Sequence, residues 1–218
     1  DERFYKQMGK VFEIQKKYEP YFGGSMREDV GIYYSIRSRF TKDRIDYNNL
    51  ACAKGAAAAL IENHIPFGVV GNFHGYKDYK ALVIPALCDM ESDFFDDIEN
   101  YIENGGNVYL SGAYSKSLVE RLLKCRYRGM TEAVNVYIAP TVQNETLFLG
   151  FNEEYPFPFE GKAPVIECGD DCETLAYFKL PYTNPGDSRF ASIHSNPPGV
   201  STTYPAVLKR RIGKGSVI

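Results

Sequence analysis

Thiols, imidazoles and carboxylates are the side chains that could do chemistry in this chain, and their spacing decides which chemistry. Five cysteines (Cys52, Cys88, Cys125, Cys168, Cys172) and three histidines (His64, His74, His194) are spread over 218 residues. The cysteines make no zinc-type pair of CxxC motifs. Cys168 and Cys172, in CGDDC, are near enough in sequence to be bridged or to share a metal. The plainer alternative is two thiols flanking an acidic turn. Cys88 lies just beyond an apolar run, where a helix N-terminus or an imidazole would make it a nucleophile; otherwise it is a small, half-buried loop residue. His74 sits in a glycine-flanked loop, suited to ligand contact or to a single backbone hydrogen bond. Ser111 and Ser115 stand in no Gly-x-Ser-x-Gly elbow, so a serine triad lacks its starting point. Glu153-Glu154 and the acids of CGDDC lack the spaced ladder of a calcium loop, and solvated turns are expected there instead of a metal site. No GxGxxG follows a strand and no Walker motif occurs, so no nucleotide cofactor is expected.

Composition narrows the classes further. Hydrophobic residues make up 44% of the chain, enough for a sizeable core. The 25 basic and 28 acidic residues give a net charge of −3 with no long run of one sign. A basic nucleic-acid face is not expected, and no stretch is long and apolar enough to span a bilayer. The first residues do not read as a signal peptide. The chain starts without Met and stops inside an apparent strand, which suggests a piece of a longer protein, cut short at its C-terminus. There is no Trp, against 17 Tyr and 14 Phe, so a Trp-based sugar platform is not expected.

Elements must hold these residues, and the clearest unit runs from Lys80 to Gly112. Ala81-Leu82-Val83-Ile84 is apolar at every position, as in a parallel strand covered on both faces, and Pro85 should end it. A helix should follow from Ser92, with Phe94, Phe95, Ile98, Tyr101 and Ile102 on one face and Gly105-Gly106 as its exit. Asn107 to Gly112 reads as the next strand, which completes a βαβ unit. Upstream, Asp29–Ser35 and Phe67–Gly71 read as strands and Leu50–Asn63 as a helix rich in alanine. A short helix is expected over Ser115–Lys124. These alternations predict a doubly wound parallel sheet with helices on both faces, flavodoxin-like where its strand order is 2-1-3-4. The crevice where the strand order reverses then gathers Arg37, Asn72, His74, Cys88, Tyr114 and Ser115 as candidate ligand contacts. Residues 1–27 read as a linker or interface helix from an upstream domain, with Phe4, Met8, Val11, Phe12 and Gln15 along its stripe. Residues 28–218 form the α/β domain, β-rich from about residue 130. There the expected strands are Val134–Ile138, Thr146–Leu149, Val165–Glu167, Thr174–Phe178 and Phe190–Ile193, with turns at Pro156, Pro158 and Pro197-Pro198-Gly199. A final hairpin should join Pro205–Arg211 to Gly213–Ile218.

The segments YEPYFGG (18–24), DVGIYYSIRSR (29–39), KALVIPALCDMESDFFDDIENYIENGGNVYLSG (80–112), FASIHSNPPG (190–199) and YPAVLKRRIGKGSVI (204–218) carry a family resemblance. The chain resembles the glutamine-amidotransferase-like domain that follows the catalytic barrel in some bacterial glycoside hydrolases. Its relatives are the β-galactosidase trimerisation domain and a hypothetical glycosyl hydrolase family with a fucosidase-like barrel. The resemblance implies a flavodoxin-like, mostly parallel sheet with a β-rich C-terminal extension. It also implies a non-catalytic accessory role in carbohydrate metabolism, in a homo-oligomer or in contact with an upstream barrel. Either bacterial cytoplasm or periplasm would suit such a parent. True amidotransferases carry a cysteine nucleophile in a Gly-x-Cys-x-Gly turn, whereas the matching turn here, Leu110-Ser111-Gly112-Ala113-Tyr114-Ser115, has none. His194 either occupies the place of the amidotransferase histidine or pins the Pro-Pro turn. A relocated cysteine-dependent activity would have to use Cys88 with His194 or His74. Small-ligand sensing at the crevice is the remaining alternative.

Overall fold

The computed structural model describes residues 2–35, 49–71, 75–85, 92–111, 116–184, 186–192 and 195–218. In chain order the first elements are α1 (Glu2–Tyr18), β1 (Val30–Tyr33), α2 (Asn49–Glu62), β2 (Phe67–Val70), β3 (Ala81–Pro85), α3 (Ser92–Glu103), β4 (Asn107–Ser111) and α4 (Lys116–Leu122). Strands follow: β5 (Arg126–Met130), β6 (Asn135–Pro140), β7 (Phe157–Glu160), β8 (Pro164–Glu167), β9 (Cys172–Pro181), β10 (Pro198–Ile212) and β11 (Gly215–Val217).

Nine strands form one sheet in the order β2-β1-β3-β4-β11-β10-β9-β6-β7, and β5 pairs with β8 as a separate two-stranded sheet. The opening four strands are parallel, and β11 joins β4 in parallel. Beyond it the direction alternates: β10, β9, β6 and β7 are each antiparallel to their neighbours. The expectation of a mostly parallel sheet is therefore corrected to a mixed α/β sheet. Tight turns can only return a strand antiparallel, whereas parallel neighbours need a crossover.

The βαβ unit reads as its sequence suggests. Phe94, Phe95, Ile98, Tyr101 and Ile102 of α3 are all buried, packed with Leu82, Ile84 and Val108 of the sheet and Val119 and Leu122 of α4. Each such side chain removed from water contributes roughly 1.5–3 kcal/mol. Gly105 leaves α3 with φ of 110°. At the C-terminal hairpin, Gly213 has φ of 57°, and its missing Cβ lets the turn lie on the backbone of Glu103. Lys214 N–H then donates to Glu103 O at 3.1 Å, fixing the hairpin on the end of α3. Arg121 of α4 reaches back to Glu99 at 3.0 Å and to Asp96, with its guanidinium 5.1 Å from the centre of the Phe95 ring.

A second, smaller core joins Ala133, Val136, Ala163 and Phe178. Here the sequence reading needs four corrections. Thr146–Leu149 is not a strand: the run ends a 3-10 segment, Val142–Leu147. Phe190–Ser192 forms only an isolated bridge, Ser192 to Ser195, and Ile193 lies outside the described residues. Strand β10 begins at Pro198, inside the expected turn. Strand β7 contains Pro158, also expected as a turn, because an edge strand has no outer partner needing the missing N–H.

Candidate interaction surfaces

Of the residues that could make a reactive or ligand-binding crevice, Arg37, Asn72, His74, Cys88, Tyr114, Ser115 and His194 all lie outside the described residues. The strand ends that lead into that edge are described: Ser35 is buried after β1, while Pro85 faces Ser111 across the ends of β3 and β4. His64 caps the exit of α2 with φ of 54° and is exposed. Cys168 and Cys172 do approach each other, and both meet Cys125, a residue that spacing alone had not joined to them. Among the described residues no three His, Cys, Asp or Glu side chains are grouped so as to hold a metal ion. In the loop before β10, Asn196 pins the chain. Its side chain accepts from Thr183 N–H at 3.0 Å and donates to Thr183 O at 2.7 Å.

What the described surface does present is apolar side chains in water. Helix α1 buries none of its residues. Its Phe4, Val11 and Phe12 are more than half exposed, and Met8 more than a third, at i, i+7, i+8 and i+4. Lys and Glu stand between these residues, and Tyr5, Ile14 and Tyr18 are exposed as well, so the helix carries far more uncovered apolar surface than a solvated helix needs. Tyr21, Phe22 and Met26 prolong the apolar character toward β1.

A second surface lies in the segment between β6 and β7, at the β7 end of the sheet. Val142, Leu147, Leu149, Tyr155 and Phe157 are exposed there, Leu149 at 92%. This segment is held in shape. Asn144 side-chain N–H donates to Thr141 Oγ1 at 2.8 Å, and Tyr155 N–H donates to Asn152 Oδ1 at 2.7 Å. Lys179 Nζ donates to Glu153 O at 2.8 Å and lies 3.5 Å from its carboxylate. Phe151 and Phe157 meet edge to face with ring centres 4.8 Å apart. Apolar groups fixed in place before contact lose little entropy on binding, which is what a docking surface requires. Strand β7 borders the segment and ends the sheet, with its outer edge unpaired among the described strands. No regular periodicity marks this surface, so only its unusual density of exposed Phe, Leu and Tyr could have flagged it.

Residues 28–218 match the family model described as the β-galactosidase trimerisation domain. The chain belongs to that family. The match takes in the whole sheet and the 142–159 surface, and α1 precedes it. Several solved structures share the fold of this chain. A β-galactosidase from Rahnella sp. R3 superposes with a TM-score of 0.71 at 16% identity, over 99% of this chain and 31% of that one. The α-L-fucosidase isoenzyme 2 from Paenibacillus thiaminolyticus gives 0.71 at 21% identity, over 100% and 33%. A GH42 β-galactosidase from G. stearothermophilus gives 0.67 at 15% identity, over 99% and 30%. This chain thus spans about a third of the length of each. No curated protein sequence matches it.

Proposed function

We propose that this trimerisation-family domain is a non-catalytic assembly module of a larger bacterial glycoside hydrolase. In that role it self-associates through the 142–159 surface and uses α1 against an upstream catalytic barrel of the same protein. The observation that carries the reading is the fixed, exposed apolar segment beside the open β7 edge. Within a family described by trimerisation, its fitting occupant is a second copy of the chain. The likeness over the full chain to one third of a fucosidase and of β-galactosidases supports a barrel partner, including a fucosidase-like one. The parallel order β2-β1-β3-β4 supports a flavodoxin-like, amidotransferase-derived scaffold with helices on both faces. The stretch Leu110-Ser111-Gly112-Ala113-Tyr114-Ser115 contains no cysteine, the thiol that amidotransferase chemistry starts from, which favours assembly over catalysis.

Amide hydrogen exchange tests the surface directly. Amides of residues 142–160 should exchange more slowly at high than at low protein concentration, while those of α2 stay unchanged. Equal exchange of 142–160 at all concentrations would remove self-association through this segment.

A further inference from the structure

The end of α4 is surrounded by an unusual set of side chains. After Leu122 the chain turns through Lys124, at φ of 51°, into Cys125. The Cys125 thiol donates to Leu123 O at 3.3 Å and the Cys172 thiol donates to the same oxygen at 3.1 Å. Their sulfurs are 3.8 Å apart, in van der Waals contact, although 47 residues separate them in sequence. Cys168 approaches from the third side, one step beyond the Arg126–Glu167 pair of the β5–β8 ladder. Arg210, paired with Cys172 across β9 and β10, donates to Leu122 O at 2.7 Å. It is only 9% exposed, and its Nε has no hydrogen-bond partner among the described residues. Its charge favours the ionised forms of Cys125 and Cys172, but larger effects outweigh it at both.

We propose that Cys125 and Cys172 are a disulfide-forming pair, with Cys168 as the thiol that meets the oxidant and passes it on. Cys125 is buried, so an oxidant cannot reach it first; Cys168 and Cys172 are half-buried. The neighbouring Cys125 lowers the Cys168 thiol from its ordinary value. The bond to Cys168 and burial push Cys125 up, while burial raises Cys172 to about 12. With a small disulfide RSSR as oxidant, the Cys168 thiolate attacks one sulfur and expels RS⁻. Cys125 then attacks the Cys168 sulfur, expels the second RS⁻ and gives up its proton to a departing thiolate. Cys172 attacks the Cys125 sulfur, releasing Cys168 as thiolate and its own proton to the other RS⁻. Two protein thiols are oxidised and one RSSR becomes two RSH. The bond formed ties the start of β5 to the start of β9, and so the small sheet to the large one.

The test uses the full chain carrying Cys52→Ser and Cys88→Ser, which leaves these three thiols alone. It is equilibrated in glutathione mixtures from reducing to oxidising, alkylated, and cut with trypsin plus an aspartate-directed protease. Those cuts separate all three cysteines, since Arg126, Lys162 and Asp170-Asp171 lie between them. The expected product links the Cys125 and Cys172 peptides and leaves Cys168 alkylated. Adding Cys168→Ser should slow oxidation about tenfold and leave the same final pair. The oxidised protein should melt roughly 5–10 °C higher than the reduced one, as closing a loop of this length implies. A terminal Cys125–Cys168 or Cys168–Cys172 bond would overturn the assignment. So would three free thiols in the oxidising mixture, or an oxidation rate indifferent to Cys168→Ser.

Discussion

Tyr79 shows how single residues settle the parallel half of the sheet. Its ring lies over Gly31 and Gly68, two glycines paired across β1 and β2, where any Cβ would collide with it. Its hydroxyl donates to Glu28 at 2.7 Å, and its carbonyl accepts from the Tyr101 hydroxyl at 2.8 Å. The Tyr76 ring closes the set edge-on to Tyr101, with ring centres 5.6 Å apart. The hydrogen bond to Glu28 raises Tyr79 to about 12, and burial raises Tyr76 and Tyr101 to about 12. A raised folded pKa keeps these phenols protonated after the unfolded chain has begun to ionise near 10. Their stabilising effect is therefore intact below about pH 10 and is lost as pH rises toward 12. An ultraviolet titration should find at least three tyrosines ionising late, and urea midpoints should fall across that window. Midpoints that hold constant from pH 10 to 12 would contradict this. None of this was legible in the sequence, because the paired glycines and Glu28 meet Tyr79 only once the sheet has formed.

Elements were legible where a period repeats. Helix α3 was readable from its apolar spacing, and β3 from an unbroken apolar run, because burial on one face or on both leaves those patterns directly. The β-rich half resisted the same reasoning. Phe157-Pro158-Phe159 looks like a turn until the sheet places it on an edge, and Thr146–Leu149 is too short a run to separate a strand from a 3-10 turn. Helix α1 tests the reading of an interface element. Because it buries nothing, residues 28–218 alone should melt within about 2 °C of the full chain. A loss of many degrees would show that α1 packs on the body of the domain.

At the scale of the whole molecule, a parallel βαβ half and an antiparallel half share one sheet through the β10–β11 hairpin. The hairpin turn is seated on the end of α3, so the halves are joined by packing as well as by hydrogen bonds. That rigid body carries exposed apolar side chains at α1 and around residues 142–159, and the family it belongs to is described by trimerisation. Leu149 is 92% exposed, so replacing it costs the fold little while placing a charge in the middle of the proposed contact. Sedimentation equilibrium of the full chain and of Leu149→Glu measures this most directly. The wild type should move toward the mass of three chains as concentration rises, and Leu149→Glu should stay at one. A wild type that remains a single chain at every concentration, or a variant that associates equally well, would contradict the account.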